Sequence, residues 1–237
     1  MSPPQTKKEK DLCTRPCHKS GDSTDYIVQP NGKAHDIYVK APRVSINDLI
    51  QTLQSFGEEE FTSEKVAQFL KENPVELESI KGYCFFDTCC YTRNRVTIND
   101  RFEVMLLCWQ QGQATPIHNH DGRSCWVYVL SGALAFTNYK YLGCDRKERT
   151  THLEEKNRVP LAAEGSLNVI DERDTIHRLS NEPNFSDRSI SLHVYAKPLS
   201  TVVVYDMASG RCRDESVEYY SIDGIRQMMV SNSPAVY

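Results

Sequence analysis

Nothing in the 237-residue chain approaches the roughly 20 consecutive apolar residues that a membrane helix needs, so no membrane association is expected. Nor is there a block of basic residues. The 28 lysines and arginines stand against 32 acids, a net charge of −4. A face that binds nucleic acid needs clustered cations to offset phosphate, so nucleic acid is not an expected partner. The opening stretch MSPPQTKKEKDLC lacks the apolar core of a secretory signal. Nine cysteines are an odd number, and their irregular spacing makes no disulfide framework. Reduced thiols and a cytoplasmic location are the expectation. Glycine-rich phosphate loops are missing too, both GxGxxG and the P-loop, and there is no internal repeat.

What is present is a 39% hydrophobic composition, enough for a proper core. Residues 1–40 are polar and read as a flexible arm. Cys13, Cys17 and His18 within it have no second Cys/His pair nearby and read as unconnected thiols rather than a zinc site. Residues 41–237 read as a single domain. Ser45-Ile46-Asn47-Asp48 resembles a helix capping box with Asp in place of Glu, and Ile46, Leu49, Ile50 and Leu53 follow at helical spacing up to Gly57. A second helix starts at Thr62 or Ser63, carries Val66, Phe69 and Leu70 on one face, and ends before Pro74. These helices, over about residues 45–75, are expected to pack on the outside of the strand-rich remainder of the chain.

From Tyr91 the texture changes to short strands: Tyr91–Val96, Phe102–Trp109, Ser124–Leu130, Ala133–Tyr141, Ser166–Ile170, Ile176–Leu179, Ser189–Tyr195 and Thr201–Tyr205. Gly112, Pro116, Gly132, Gly143, Gly165 and Asn181-Glu182-Pro183-Asn184 punctuate them. Such spacing suggests an antiparallel sandwich or barrel, over about residues 83–210.

The stretch around which the rest is arranged is GQATPIHNHDGRSCWVYVLSG, Gly112 to Gly132. On an extended strand, residues two apart share a face, so His118 and His120 point together and can supply two ligands to one metal. A third would come from elsewhere. His18 and His35 lie in the arm, His152 in a polar run, and His177 and His193 in strands. In Ser189–Tyr195 the alternation puts Ser191, His193 and Tyr195 on one face and Ile190, Leu192 and Val194 on the other, which suggests a wet, hydrogen-bonded interior. Cys84, Cys89, Cys90, Cys108, Cys144 and Cys212 read as inert structural thiols, the vicinal pair Cys89-Cys90 included.

Taken together these motifs resemble a known family. The glycine-spaced His118-x-His120 with Gly132 looks like the first motif of the cupins, and His177-Arg178-Leu179-Ser180-Asn181 like the end of the second. Most cupins carry a Glu a few residues after the second His. Here Ser124-Cys125 stands in its place, as in the cysteine dioxygenases of the thiol dioxygenase family. Tyr91-Thr92-Arg93 and Ser191-x-His193-x-Tyr195 match that family in order and spacing, over about residues 45–210. The resemblance implies a mainly β fold, a cupin-type antiparallel, jelly-roll-like barrel with N-terminal helices packed outside.

The same resemblance implies a three-histidine Fe(II) site at His118, His120 and His177, and Arg93 on the substrate carboxylate with Tyr91 flanking it. Ser191, His193 and Tyr195 would form a hydrogen-bonded relay. Cys125 and Tyr195 would be joined as a thioether, a cofactor made from the protein itself. The implied reaction is L-cysteine plus O₂ to cysteine sulfinic acid, by a monomer. The chain departs from the family pattern in three places: Asp171 and Arg173 in the segment before His177, Ala196-Lys197-Pro198 after Tyr195, and Val202 where mammalian enzymes carry a cysteine.

The donor chemistry agrees. Three neutral imidazoles leave a divalent ion its full charge and about three open positions if it is octahedral, whereas zinc more often settles at four-coordinate. A relative acting on 3-mercaptopropionate would have Gln at the Arg93 position and lack the crosslinking cysteine. A non-catalytic metal-binding cupin would have no use for the Ser191–His193–Tyr195 relay.

Overall fold

The helices at the start of the fold form as their caps dictate. The computed structural model describes residues 42–145, 147, 150–170 and 176–228. The arm expected over residues 1–40, with Cys13, Cys17, His18 and His35, lies outside them, as do Asp171 and Arg173. Ser45 caps α1 (Ile46–Ser55), its Oγ accepting the Asp48 N–H at 3.1 Å. The Asp48 carboxylate receives the Ser45 hydroxyl at 2.7 Å, so the reciprocal bond of a capping box is made to the side chain instead of the backbone. Thr62 caps α2 (Ser63–Glu72) in the same way through the Lys65 N–H. The i, i+3, i+4 spacing puts Ile46, Leu49, Ile50 and Leu53 of α1 and Val66 and Leu70 of α2 on buried stripes. A single turn, α3 (Leu77–Ile80), comes next.

Among the described residues thirteen strands make two sheets. They are β1 (Thr92–Ile98), β2 (Phe102–Gln110), β3 (Ile117–His118), β4 (Cys125–Ser131), β5 (Ala133–Asp145), β6 (Thr150–Ala163), β7 (Leu167–Ile170), β8 (His177–Ser180), β9 (Arg188–Ala196), β10 (Thr201–Asp206), β11 (Arg211–Ser216), β12 (Ser221–Ile222) and β13 (Ile225–Arg226). One sheet has seven strands in the order β13-β12-β1-β2-β9-β4-β7, antiparallel except where β12 joins β1. The second runs β10-β11-β6-β5-β8-β3 and closes through pairing of β3 with β10. The chain thus adopts the mainly β, cupin-type barrel with outer helices that its sequence implies. The strands β6, β11, β12 and β13 are additions to those read from the sequence, and the strand expected to carry His118 and His120 is the short β3, which ends at His118.

Two apolar layers result. Outside the seven-stranded sheet, Phe102, Val104, Leu106, Trp126, Leu192 and Val194 pack on α1 and α2. The Trp126 indole N–H also donates to the Ser63 carbonyl at 2.9 Å, which ties the start of α2 to β4. Between the sheets, Met105, Leu107, Trp109, Val127 and Val129 of one face Leu134, Phe136, Leu179, Val202 and Val204 of the other. Gly132 links β4 to β5 at φ +75°, where a Cβ would come within 2.6 Å of the Arg188 carbonyl. Only glycine fits that turn. Among the described residues no helix is long and apolar enough to cross a membrane.

Candidate active site

The site is built by register. His118 on β3 stands directly opposite His177 on the antiparallel neighbour β8. His120 lies two residues beyond, past the end of β3. Asn119 keeps the chain extended there: its N–H donates to the Val203 carbonyl at 3.2 Å and its side-chain oxygen accepts the Val203 N–H at 3.0 Å. The side chain thus continues the ladder by one step, and His120 falls on the same face as His118. A tight turn through Asp121 and Gly122, both at positive φ, then leads toward β4.

One ligand-capable atom from each of His118, His120 and His177 lies within 4.8 Å of the others, and all three rings are buried. Their ring centroids are 4.6–5.3 Å apart. Among the described residues this is the group of His, Cys, Asp and Glu side chains gathered closely enough to hold one ion. His118 Nδ1 is 3.0 Å from the Pro116 carbonyl. A carbonyl only accepts, so Nδ1 carries the proton and Nε2 offers its lone pair inward. Both nitrogens of His120 are buried without a partner. Buried polar atoms are nearly always satisfied, and a metal ion would satisfy one of these. Burial, and after it the neighbouring imidazoles and the Arg93 cation, holds His120 well below its ordinary pKa. His118 is lowered to about 4, first by burial. All three observations describe neutral imidazoles, the ligand form, and the donor set fits a divalent metal.

The relay residues come together as the alternation of β9 requires. Ser191 Oγ is 2.8 Å from His193 Nε2, and the Tyr195 hydroxyl is 3.5 Å from His193 Nδ1. Burial lowers His193 to about 3, with the Arg93 charge as the second cause. The Tyr195 ring sits 5.2 Å from that of His120, edge to face. Cys125 and Tyr195 are cross-strand partners on β4 and β9. The Cys125 thiol is pushed well up by burial, against a hydrogen bond to Tyr195 that acts the other way.

Arg93 reaches the same interior from β1. Its Nε and Nη2 are buried and make no hydrogen bond, although its charge acts on His118, His120, His193 and Tyr195. Tyr91 stacks on Trp109, with centroids 4.7 Å apart and planes at 18°. Val202 lies in the inter-sheet core.

Two groups here were not read from the sequence. Trp109 donates its indole N–H to Ser191 Oγ at 3.0 Å and so joins Tyr91 to the relay. Glu103 is wholly buried opposite Tyr195 on β2, and its Oε2 accepts the Leu199 N–H at 3.3 Å. The Tyr219 phenol near it is pushed up to about 12 by burial and by the neighbouring Glu103 carboxylate. The available signal was an acid at an inward position of a strand otherwise closed to water on both faces.

The barrel and its three converging imidazoles define a metal-binding cupin, with a relay and an unpaired guanidinium in the same interior. A match to the family described as cysteine dioxygenase type I spans residues 36–208. The chain is 29% identical over 190 residues to cysteine dioxygenase type 1 of Homo sapiens, covering 79% of this chain and 92% of that one. Against the Bos taurus protein of the same name it is 30% identical over 193 residues, with the same coverage. A solved cupin superfamily protein from Desulfitobacterium hafniense aligns over 54% of this chain and 93% of that chain at 13% identity, with a TM-score of 0.36. The chain belongs to the cysteine dioxygenase type I family and is a thiol dioxygenase.

Proposed function

We propose that the substrate is L-cysteine, the metal iron(II), and the reaction the addition of both atoms of O₂ to the thiol, giving cysteine sulfinic acid. The observation that carries the substrate is Arg93: a guanidinium with two buried, unpartnered nitrogens, near enough to the three-histidine cluster for its charge to act on His118 and His120. Its planar fork matches a carboxylate bidentately, and a thiol two carbons from that carboxylate reaches back toward the histidines. Tyr91 forms the side of this pocket, held flat against Trp109.

His118, His120 and His177 would hold the iron. Iron held there by three neutral ligands would keep its full charge and offer open positions at which a substrate thiolate and O₂ could meet. The remaining roles belong to the protein. Ser191 receives the Trp109 N–H and orients His193, and His193 in turn orients the Tyr195 hydroxyl. A thioether between Cys125 sulfur and the Tyr195 ring would fix that hydroxyl, lowering the ordering cost of each turnover. Their cross-strand pairing supports this bond, because opposed side chains on neighbouring strands are in reach of each other. Free cysteines such as Cys84 and Cys89 fit a reducing cytoplasm.

The test is oxygen uptake by iron-loaded protein with cysteine, cysteamine and 3-mercaptopropionate. Cysteine should be consumed with sulfinate formed, and cysteamine, which has no carboxylate, should be poor. Arg93→Ala should raise the KM for cysteine at least about tenfold, since a hydrogen bond to a charged group is worth roughly 1.5–3 kcal/mol. Equal turnover of cysteine and cysteamine would remove the carboxylate clamp.

A further inference from the structure

The dioxygenase chemistry leaves the vicinal pair Cys89-Cys90 unused. The sequence suggested buried structural thiols, and the structure differs: Cys89 is exposed and Cys90 half-buried. Both line a cavity of about 530 Å³, a size suited to a small ligand. Tyr91, Ile117, Arg178 and Arg213 also line it, and none of the three clustered histidines does. Its lining carries charges of both signs. Asp206 is there too and keeps its negative charge, because the Ala208 N–H and the Ser209 hydroxyl that it accepts are neutral donors. Arg213 shares its charge with Glu215, which leaves Arg178 as the stronger attraction.

The pair is presented rather than loosely placed. Asp87, two residues before Cys89, accepts the Cys89 N–H at 2.9 Å and the Tyr220 hydroxyl at 3.1 Å through its carboxylate. Its carbonyl accepts the side-chain amides of Gln110 and Gln113 at 3.0 and 2.9 Å. Beyond Cys90 the chain is fixed again by the stacking of Tyr91 on Trp109. Two adjacent thiols are therefore held between two anchored points, at the edge of a cavity that a carboxylate-bearing molecule can enter.

We propose that Cys89 and Cys90 form a thiol–disulfide exchange site that takes carboxylate-bearing low-molecular-weight disulfides, with Arg178 as the carboxylate's contact, and passes between a dithiol and a vicinal disulfide. The Cys89 thiolate attacks one sulfur of the incoming disulfide, which breaks the S–S bond and releases one thiolate. Cys90, having given its proton to solvent, then attacks the Cys89 sulfur and expels the second thiolate. Two protein thiols are oxidised and one external disulfide is reduced to two thiols, so electrons and protons balance. Exposure makes Cys89 the attacking sulfur. Burial, followed by the Asp87 charge, raises the Cys90 pKa, so Cys90 leaves the first attack to Cys89 and enters second, its proximity on the same backbone making that step intramolecular. Neighbouring Cα atoms are about 3.8 Å apart, below the usual disulfide range, so the bond is strained and easily reduced back. The exchange stands apart from the dioxygenase reading.

The experiment treats the full-length, metal-loaded chain anaerobically with glutathione disulfide and follows the tryptic peptide 82–93, which holds Cys84, Cys89 and Cys90, by mass. Wild type should lose two hydrogen atoms between Cys89 and Cys90 and regain them with reductant. Cys90→Ser should stop at a mixed disulfide on Cys89, and Cys89→Ser should react about tenfold more slowly. Labelling of Cys89 no faster than of the half-exposed Cys84 and Cys212 overturns the proposal. A wild-type mixed disulfide that never resolves onto Cys90 overturns it equally. Oxygen uptake by the reduced protein is measured alongside. Its absence with every thiol would defeat the dioxygenase reading and leave the mass result standing.

Discussion

The two faces of the seven-stranded sheet are equally dry and chemically opposite. On β2 and β9 the pairs Phe102–Ala196, Val104–Val194 and Leu106–Leu192 face the helices, and the pairs Glu103–Tyr195, Met105–His193 and Leu107–Ser191 face the barrel interior. Neighbouring residues share a strand, a register and near-complete burial, yet one face has only apolar work and the other carries acid, phenol, imidazole and hydroxyl. Burial alone therefore does not mark a core. On the helix side it stabilises the fold. On the barrel side it depresses imidazole pKa values and leaves His120 and Arg93 with unpartnered nitrogens. The lesson is one of alternation: a period of two lets a single strand serve two environments.

Substitutions on the two faces should fail in different ways, and the largest effect belongs to the barrel side. His177→Ala should abolish turnover and lower bound metal well below one per chain, with the far-ultraviolet spectrum unchanged, since the apolar layers do not include it. Full metal occupancy would mean that His193 or His152 supplies the third ligand. Leu106→Ala tests the helix side. It should cost about 2–5 kcal/mol of stability in urea titrations, while the protein that remains folded keeps its metal and its KM. Loss of metal there would show that the two faces are not independent.

A subtler contrast is in pH. The His193 pKa is near 3 in the fold and 6.5 ordinarily. Between these values the unfolded chain holds a proton that the folded chain does not, so stability falls as pH drops from 6.5 and is unaffected above it. In metal-free protein, His193→Gln should lower the slope of unfolding free energy between about pH 6 and 5 by about 1 kcal/mol per pH unit, whereas Leu192→Val should leave it alone. An unchanged slope in His193→Gln would mean that the ring is charged or hydrated in the fold.

The smallest effect is expected at Cys125. Protein aged with iron, oxygen and cysteine should run as two bands on a reducing denaturing gel, the faster one lighter by two hydrogen atoms. Cys125→Ala should remove the fast band and slow turnover without ending it, because the three histidines and Arg93 remain. A single band with an unmodified Cys125 peptide would defeat the thioether and leave the dioxygenase assignment intact.

Local pattern determined much of this molecule. Helical spacing and the Ser45 and Thr62 caps give α1 and α2, whose hydrogen bonds close within a few residues. Strict alternation in Ser189–Tyr195 sorts the relay from the apolar face before any partner strand is known, and the spacing of His118 and His120 puts two members of the histidine cluster on one face the same way. The sequence by itself therefore determined the elements with an internal period and the faces those periods define.

Tertiary structure decided what depends on a distant partner. Strand β6 has almost no buried residues and no hydrophobic period, and exists because its backbone pairs with β5 from Ala133–Ala163 to Asp145–Thr150. Strand β3, of two residues, is held by β8 and β10 on its two sides. That His177 and not His152 or His193 joins the first two histidines is a matter of β3–β8 register, and Glu103 and Trp109 entered the site through cross-strand contacts. The physical reason is common to all of them. A ladder bond or a ligand cluster joins separate segments of the chain, up to tens of positions apart, so its energy is absent from the pattern of either segment and appears only when the chain closes on itself.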